Sequence, residues 1–136
     1  MANNFLCPAC NGHLTINDAL ILSIKTDSKH KGLILLNPEI GNYIKTTHPS
    51  FVIEKGVQYI LYCPICGAVL NTKDHHQLIK LKMIGNDGKE YDVYFSGVGG
   101  EKCTYKVSGK KVEKKGPDVK IYDKYFEVPE EDRKYL

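Results

Sequence analysis

Two stretches of the chain carry the same chemical device. Phe5 to Leu14 reads FLCPACNGHL and Leu61 to Leu70 reads LYCPICGAVL, so Cys-Pro-x-Cys occurs twice with fifty-two residues between the copies. A Cys-x-x-Cys turn brings two sulfurs to one side, and two such turns supply the four thiolates of a tetrahedral metal centre. Cys7, Cys10, Cys63 and Cys66 are the expected ligands of one ion, zinc first and iron as the alternative, since four thiolates suit both. Pro8 and Pro64 pre-set φ inside each turn. The residue after each pair, Asn11 or Gly67, is a type that tolerates positive φ.

The same spacing excludes other cysteine chemistry. A hydrolytic zinc keeps an open position for water, and four thiolates close the sphere. A nucleobase-deaminase centre needs His-x-Glu ahead of Pro-Cys-x-x-Cys; here proline follows the first cysteine of each pair, and His-x-Glu is absent. A dithiol redox site needs one Cys-x-x-Cys opening a helix in a βαβ unit, which the sequence does not supply.

With CPAC and CPICG each following an apolar strand end, the chain resembles the zinc-ribbon and rubredoxin-like class of four-cysteine metal proteins. The resemblance covers about a dozen residues. It implies a metal site and a ribbon-like frame, with extra strands inserted between the knuckles, and it implies no activity. CPICG is close to the second knuckle of rubredoxins, whereas CPACNG lacks the glycine and aromatic that follow the first.

Other reactive residues are better explained without chemistry. His13, three residues past Cys10, finds no vacant ligand position, and the adjacent His75 and His76 diverge in a polar turn. His30 and His48 have no identifiable partner. Gly97 to Gly100 reads as a hairpin turn rather than a phosphate cradle, because a strand follows it. Cys103, the fifth cysteine, reads as a packed side chain. Lys102, Lys106, Lys110, Lys111, Lys114 and Lys115 crowd fourteen residues, a pattern of protected edge strands that also leaves contact with nucleic acid open. Strand alternation sets Lys102 and Lys106 on the face opposite Tyr105, which separates charge from aromatic surface.

The elements that must hold the knuckles are strands. β-branched and aromatic residues alternate with polar ones over Leu20–Thr26, Gly32–Asn37, Asn42–Thr47 and Val57–Cys63, all between the cysteine pairs. A meander is expected over Leu78–Ile84, Glu90–Ser96, Cys103–Val107 and Lys111–Lys115, with a short helix in VPEEDRKYL at the end. Beyond the cysteine device and its apolar flanks, no internal repeat is legible. The expectation is one mainly β domain over residues 1–136: a zinc-ribbon half with inserted strands (1–77), then a β-meander extension with the terminal helix (78–136).

Composition agrees with a globular chain, with 42% hydrophobic and 26% charged residues and a net charge of +3. No stretch has the apolar length of a membrane helix, and neither a leader sequence nor a disulfide framework is evident, which points to the cytoplasm and to reduced thiols. The expected role is non-enzymatic binding of a protein partner. An iron electron carrier and a nucleic-acid-binding ribbon are the alternatives.

Overall fold

The computed structural model describes residues 3–26, 30–109 and 111–127. It is mainly β. The strands are β1 (Asn4–Leu6), β2 (Thr15–Ile16), β3 (Ala19–Lys25), β4 (Lys31–Leu36), β5 (Lys45–Thr47), β6 (Ile60–Tyr62), β7 (Leu78–Ile84), β8 (Glu90–Ser96), β9 (Thr104–Ser108) and β10 (Lys111–Lys115). A 3-10 turn (Val119–Tyr122) runs into a one-turn helix, α1 (Asp123–Glu127). These strands pair antiparallel, in two sheets.

One sheet has the order β1-β7-β8-β9-β10; the other has β2-β3-β4-β5, with β6 also on β3. Along β3 and β7, alternate residues are buried in one shared core: Leu20, Leu22 and Ile24 from one strand, Ile79, Leu81 and Met83 from the other. Burying each such side chain stabilises the fold by about 1.5–3 kcal/mol.

The two sheets repeat one plan in the same register. Leu22 pairs with Ile34 and Ile34 with Thr47; Leu81 pairs with Val93 and Val93 with Lys106. One constant shift along the chain carries Leu22 to Leu81, Ile34 to Val93 and Thr47 to Lys106, so the register of β3-β4-β5 is that of β7-β8-β9. The first strand of each plan is exchanged: β1 pairs with β7 through Phe5 and Met83, and β6 pairs with β3 through Leu61 and Ile24. The sequence conceals this repeat, because equivalent positions keep apolar character and rarely identity.

Several expectations need correction. Val57–Cys63 contracts to β6, because β3 ends at Lys25, opposite Ile60, and the Tyr59 amide bonds the Gly97 carbonyl instead. Asn42–Thr47 contracts to β5, since the Asn42 amide closes a turn onto the Glu39 carbonyl and its side chain accepts from the Ile44 amide. Strands β1 and β2 are too short to show a period. Gly97–Gly100 links β8 to β9 as expected, but it is no simple hairpin turn. Gly56 donates to the Gly99 carbonyl and Gly99 to that of Val57, both at 2.8 Å. A Cβ on Gly99 would lie 2.0 Å from the Glu54 carbonyl oxygen, so glycine is needed there for the backbones to meet. The helix expected in VPEEDRKYL falls outside the described residues.

Candidate metal centre

Each cysteine pair sits in a turn closed by the same backbone bonds. Cys7 N–H donates to Gly12 and Cys63 N–H to Ala68, both at 3.0 Å. Asn11 donates to the Cys7 carbonyl at 2.8 Å and Gly67 to that of Cys63 at 2.9 Å. Asn11 and Gly67 have φ of 59° and 77°, the left-handed conformation that the sequence anticipated. Further out, Leu14 donates to Phe5 and Leu70 to Leu61, each at 2.8 Å, which ties every knuckle to the strand entering it. A single shift relates these bonds too, carrying Cys7 to Cys63, Asn11 to Gly67 and Leu14 to Leu70. It is slightly shorter than the shift between the sheets, and the difference is taken up in the longer loop between Asn71 and Leu78.

The structure brings together all four cysteines named from the sequence. Their sulfurs lie within 4.8 Å of one another, with Cys7 to Cys66 and Cys10 to Cys63 both 3.8 Å apart. A tetrahedron with metal–sulfur bonds of about 2.3 Å has sulfur–sulfur edges of about 3.8 Å, the spacing of both of these pairs, so the cluster suits a four-thiolate ion. Cys7 and Cys63 are buried, whereas Cys10 and Cys66 reach the surface.

Backbone amides prepare the site for negative charge. Ala9 donates to Cys7 Sγ, Gly12 to Cys10 Sγ and Ile65 to Cys63 Sγ, each at 3.3 Å, and Cys66 N–H reaches Cys63 Sγ at 3.4 Å. Desolvation by burial, partly opposed by the amides of Cys10 and Ala9, pushes the Cys7 thiol up to about 12. Burial also opposes ionisation of Cys63, but the amides of Cys66 and Ile65 and the neighbouring thiols outweigh it and bring that thiol to about 7. Lys82 Nζ donates to Asn11 Oδ1 at 3.0 Å, placing a cation on the first knuckle.

Sequence reasoning missed what carries the knuckles. Asn71 is buried; its Oδ1 accepts from Leu61 N–H at 2.9 Å, and its Nδ2 donates to the carbonyls of Tyr59 (3.0 Å) and His76 (2.7 Å). Its place in the polar run NTKDHHQ gave no signal of burial.

The remaining candidates lie elsewhere. His13 Nδ1 pairs with the Asn4 side chain at 3.0 Å. His75 lies against Tyr122 and Tyr125, while His76 is exposed. Cys103 is buried in a second cluster with Tyr94, Tyr105, Tyr122, Tyr125 and Phe126. In the lysine run, Lys114 pairs with Asp123 at 2.7 Å, and Lys106 pairs with Glu113 while lying 4.1 Å over the Tyr91 ring. Tyr105 is stacked on Phe126 on the opposite face, as alternation required. Lys110 lies outside the described residues. Among the described residues, no helix is long and apolar enough to cross a membrane.

Comparison with protein-family models, with curated proteins and with solved structures finds no match to this chain, so the case for function rests on the geometry of the four sulfurs.

Proposed function

We propose that Cys7, Cys10, Cys63 and Cys66 hold one zinc ion as a closed structural centre in a zinc-ribbon-like frame, and that the protein is a non-enzymatic binding module. The observation that carries this reading is the 3.8 Å spacing of Cys7 to Cys66 and of Cys10 to Cys63, which matches the edges of a four-thiolate tetrahedron. Each edge joins one knuckle to the other, so the ion would tie together two units that already exchange a strand. Binding free energy then becomes folding free energy, because the unfolded chain holds no assembled site. Four thiolates leave no position for an activated water, which directs function to the sheet surfaces.

Exposure of Cys10 and Cys66 favours a second reading, a rubredoxin-like iron centre passing single electrons through its surface sulfurs. Elemental analysis of protein produced with both metals supplied separates the two. One zinc per chain, lost in Cys63→Ser with a fall in Tm and retained in Cys103→Ser, supports the first reading. A coloured iron protein with a reversible one-electron wave supports the second. Full zinc content in Cys63→Ser overturns the ligand set.

A further inference from the structure

The repeat leaves one face without its counterpart's cover. In the β7-β8-β9 unit, the outer face carries Leu78, Tyr94 and Tyr105, buried beneath Tyr122, Tyr125 and Phe126 from the 3-10 turn and α1. In the shared register, the equivalents in β3-β4-β5 are Ala19, Leu35 and Thr46. No described segment covers Leu35 in this way. Around it Leu33 is 52% exposed and Ile44 71%, and Ile21, directly opposite Leu35, completes an apolar strip. Ala19 and Thr46 are small where Leu78 and Tyr105 are large, leaving relief on this face that large side chains from outside would fill.

Charge sets the partner's chemistry. At the end of this face Lys25 and Lys31 are directly opposed across β3 and β4, an arrangement that costs stability in the isolated sheet. Lys25 lies 5.3 Å over the Tyr62 ring, and neither lysine has an ion pair among the described residues. On the covered face a lysine is answered: Asp123, the first residue of α1, pairs with Lys114 at 2.7 Å. The molecule thus contains its own template for the occupant, a short helical segment with aromatic residues on one side and an acid at its start.

We infer that the outer face of β3-β4-β5 is a docking surface for an amphipathic helix of a partner protein, aromatic on its apolar side and acidic where it meets Lys25 and Lys31. This deepens the binding-module reading and rests on it. A helix laid on a sheet face buries the strip Ile21, Leu33, Leu35 and Ile44 as α1 and the preceding turn bury the other sheet, and the acid relieves the opposed lysines.

The test uses the zinc-loaded full chain and a synthetic peptide of residues 117–127 carrying Lys120→Glu, an acidic copy of the internal template. Methyl NMR should show saturable shifts at Ile21, Leu33, Leu35 and Ile44 below about 1 mM peptide. Lys25→Glu with Lys31→Glu should weaken binding about tenfold. Leu33→Asp with Leu35→Asp should abolish it while zinc content stays unchanged, which these exposed positions permit. Absence of shifts at this face, or undiminished binding in the leucine variant, overturns the inference. Self-association of the wild type that the leucine variant loses overturns it in favour of a second copy of the chain. Zinc content measured on the same samples keeps failure of the metal centre distinct from failure of the docking face.

Discussion

Thr15 and Asn71 make the same bond in the two copies of the knuckle. Thr15 Oγ1 accepts from Phe5 N–H at 3.0 Å and Asn71 Oδ1 accepts from Leu61 N–H at 2.9 Å, and the shift that carries Cys7 to Cys63 also carries Thr15 to Asn71. Each side chain pins the strand entering its metal-binding turn. Asn71 also bonds two further carbonyls and is buried, so Asn71→Ala should cost about 2–3 kcal/mol, whereas Thr15→Val should cost about 1 kcal/mol. Chemical denaturation of the zinc-loaded protein measures both. Equal losses would mean that the extra bonds of Asn71 contribute nothing.

Gly99 should resist enlargement. Its added Cβ would meet a backbone carbonyl, which has no flexible end to move aside. Gly99→Ala is expected to lower stability by about 1–3 kcal/mol, the range for overpacking a filled interior. Gly88, where a Cβ meets nothing within 4 Å, is the control for close approach, though its φ of 79° adds strain of its own. A thermal melt in which Gly99→Ala is no worse than Gly88→Ala would refute the close-approach explanation.

Cys103 should react slowly in the folded protein. It is 1% exposed, and burial, with the nearby Glu101 and Asp118 carboxylates, pushes its thiol up to about 12. Little of it is then thiolate at pH 8, and the thiolate is the reactive form. Alkylation followed by mass spectrometry should leave Cys103 unmodified in the folded protein and label it on unfolding. Rapid labelling in the native state would contradict the burial.

His75 should make the aromatic cluster sensitive to acid. Its ring lies 5.1 Å from that of Tyr122 and 5.6 Å from that of Tyr125, and burial lowers its proton affinity although the Asp74 carboxylate acts in the opposite direction. The depressed folded value means that the unfolded chain binds the proton better. His75 therefore contributes stability above its ordinary value of 6.5, and this is lost as pH falls below it. Denaturation midpoints measured from pH 8 to pH 5 should fall less steeply in His75→Gln. Parallel profiles in the two proteins would remove His75 from this account.

The lysine run should bind nucleic acid weakly. Lys106 and Lys114 already have acidic partners, Tyr105 is buried on the face opposite Lys106, and the ring that does lie beside Lys106, that of Tyr91, is half-buried and already engaged by the Lys106 ammonium. Fluorescence anisotropy with single-stranded and duplex oligonucleotides should show nothing tighter than roughly 10⁻⁵ M near physiological salt. Sub-micromolar binding lost on replacing Lys111, Lys114 and Lys115 by alanine would restore the nucleic-acid reading.

The parts of this molecule legible in the sequence are those governed by local rules. Leu78–Ile84 and Glu90–Ser96 announce themselves by alternation and appear with the expected limits, and the cysteine turns follow from spacing and from Asn11 and Gly67. The exchange of β1 and β6 was not legible, because a three-residue strand has too little period and its partner is chosen by a distant part of the chain. The repeat was equally hidden. Leu20 and Ile79, or Ile34 and Val93, satisfy the same packing requirement with different residues, and a core demands volume and apolarity rather than identity. Asn71 escaped notice because a buried amide and a turn amide look alike until the carbonyls around it are placed.

Strand exchange also sets the order in which the molecule assembles. Phe5 meets Met83 only across the whole of the β3-β4-β5 unit and the second knuckle, so β1 waits for β7 before it has a partner in the sheet. Cys7 waits likewise for Cys66. Such long loops close slowly, and the β3–β4 hairpin, with every contact local, is positioned to form first. Metal capture between the knuckles would come late and act as a latch on a chain already threaded. Its principal effect would then be on the rate of opening, and a metal-loaded sample should outlast a stripped one by far more in unfolding half-life than in refolding speed.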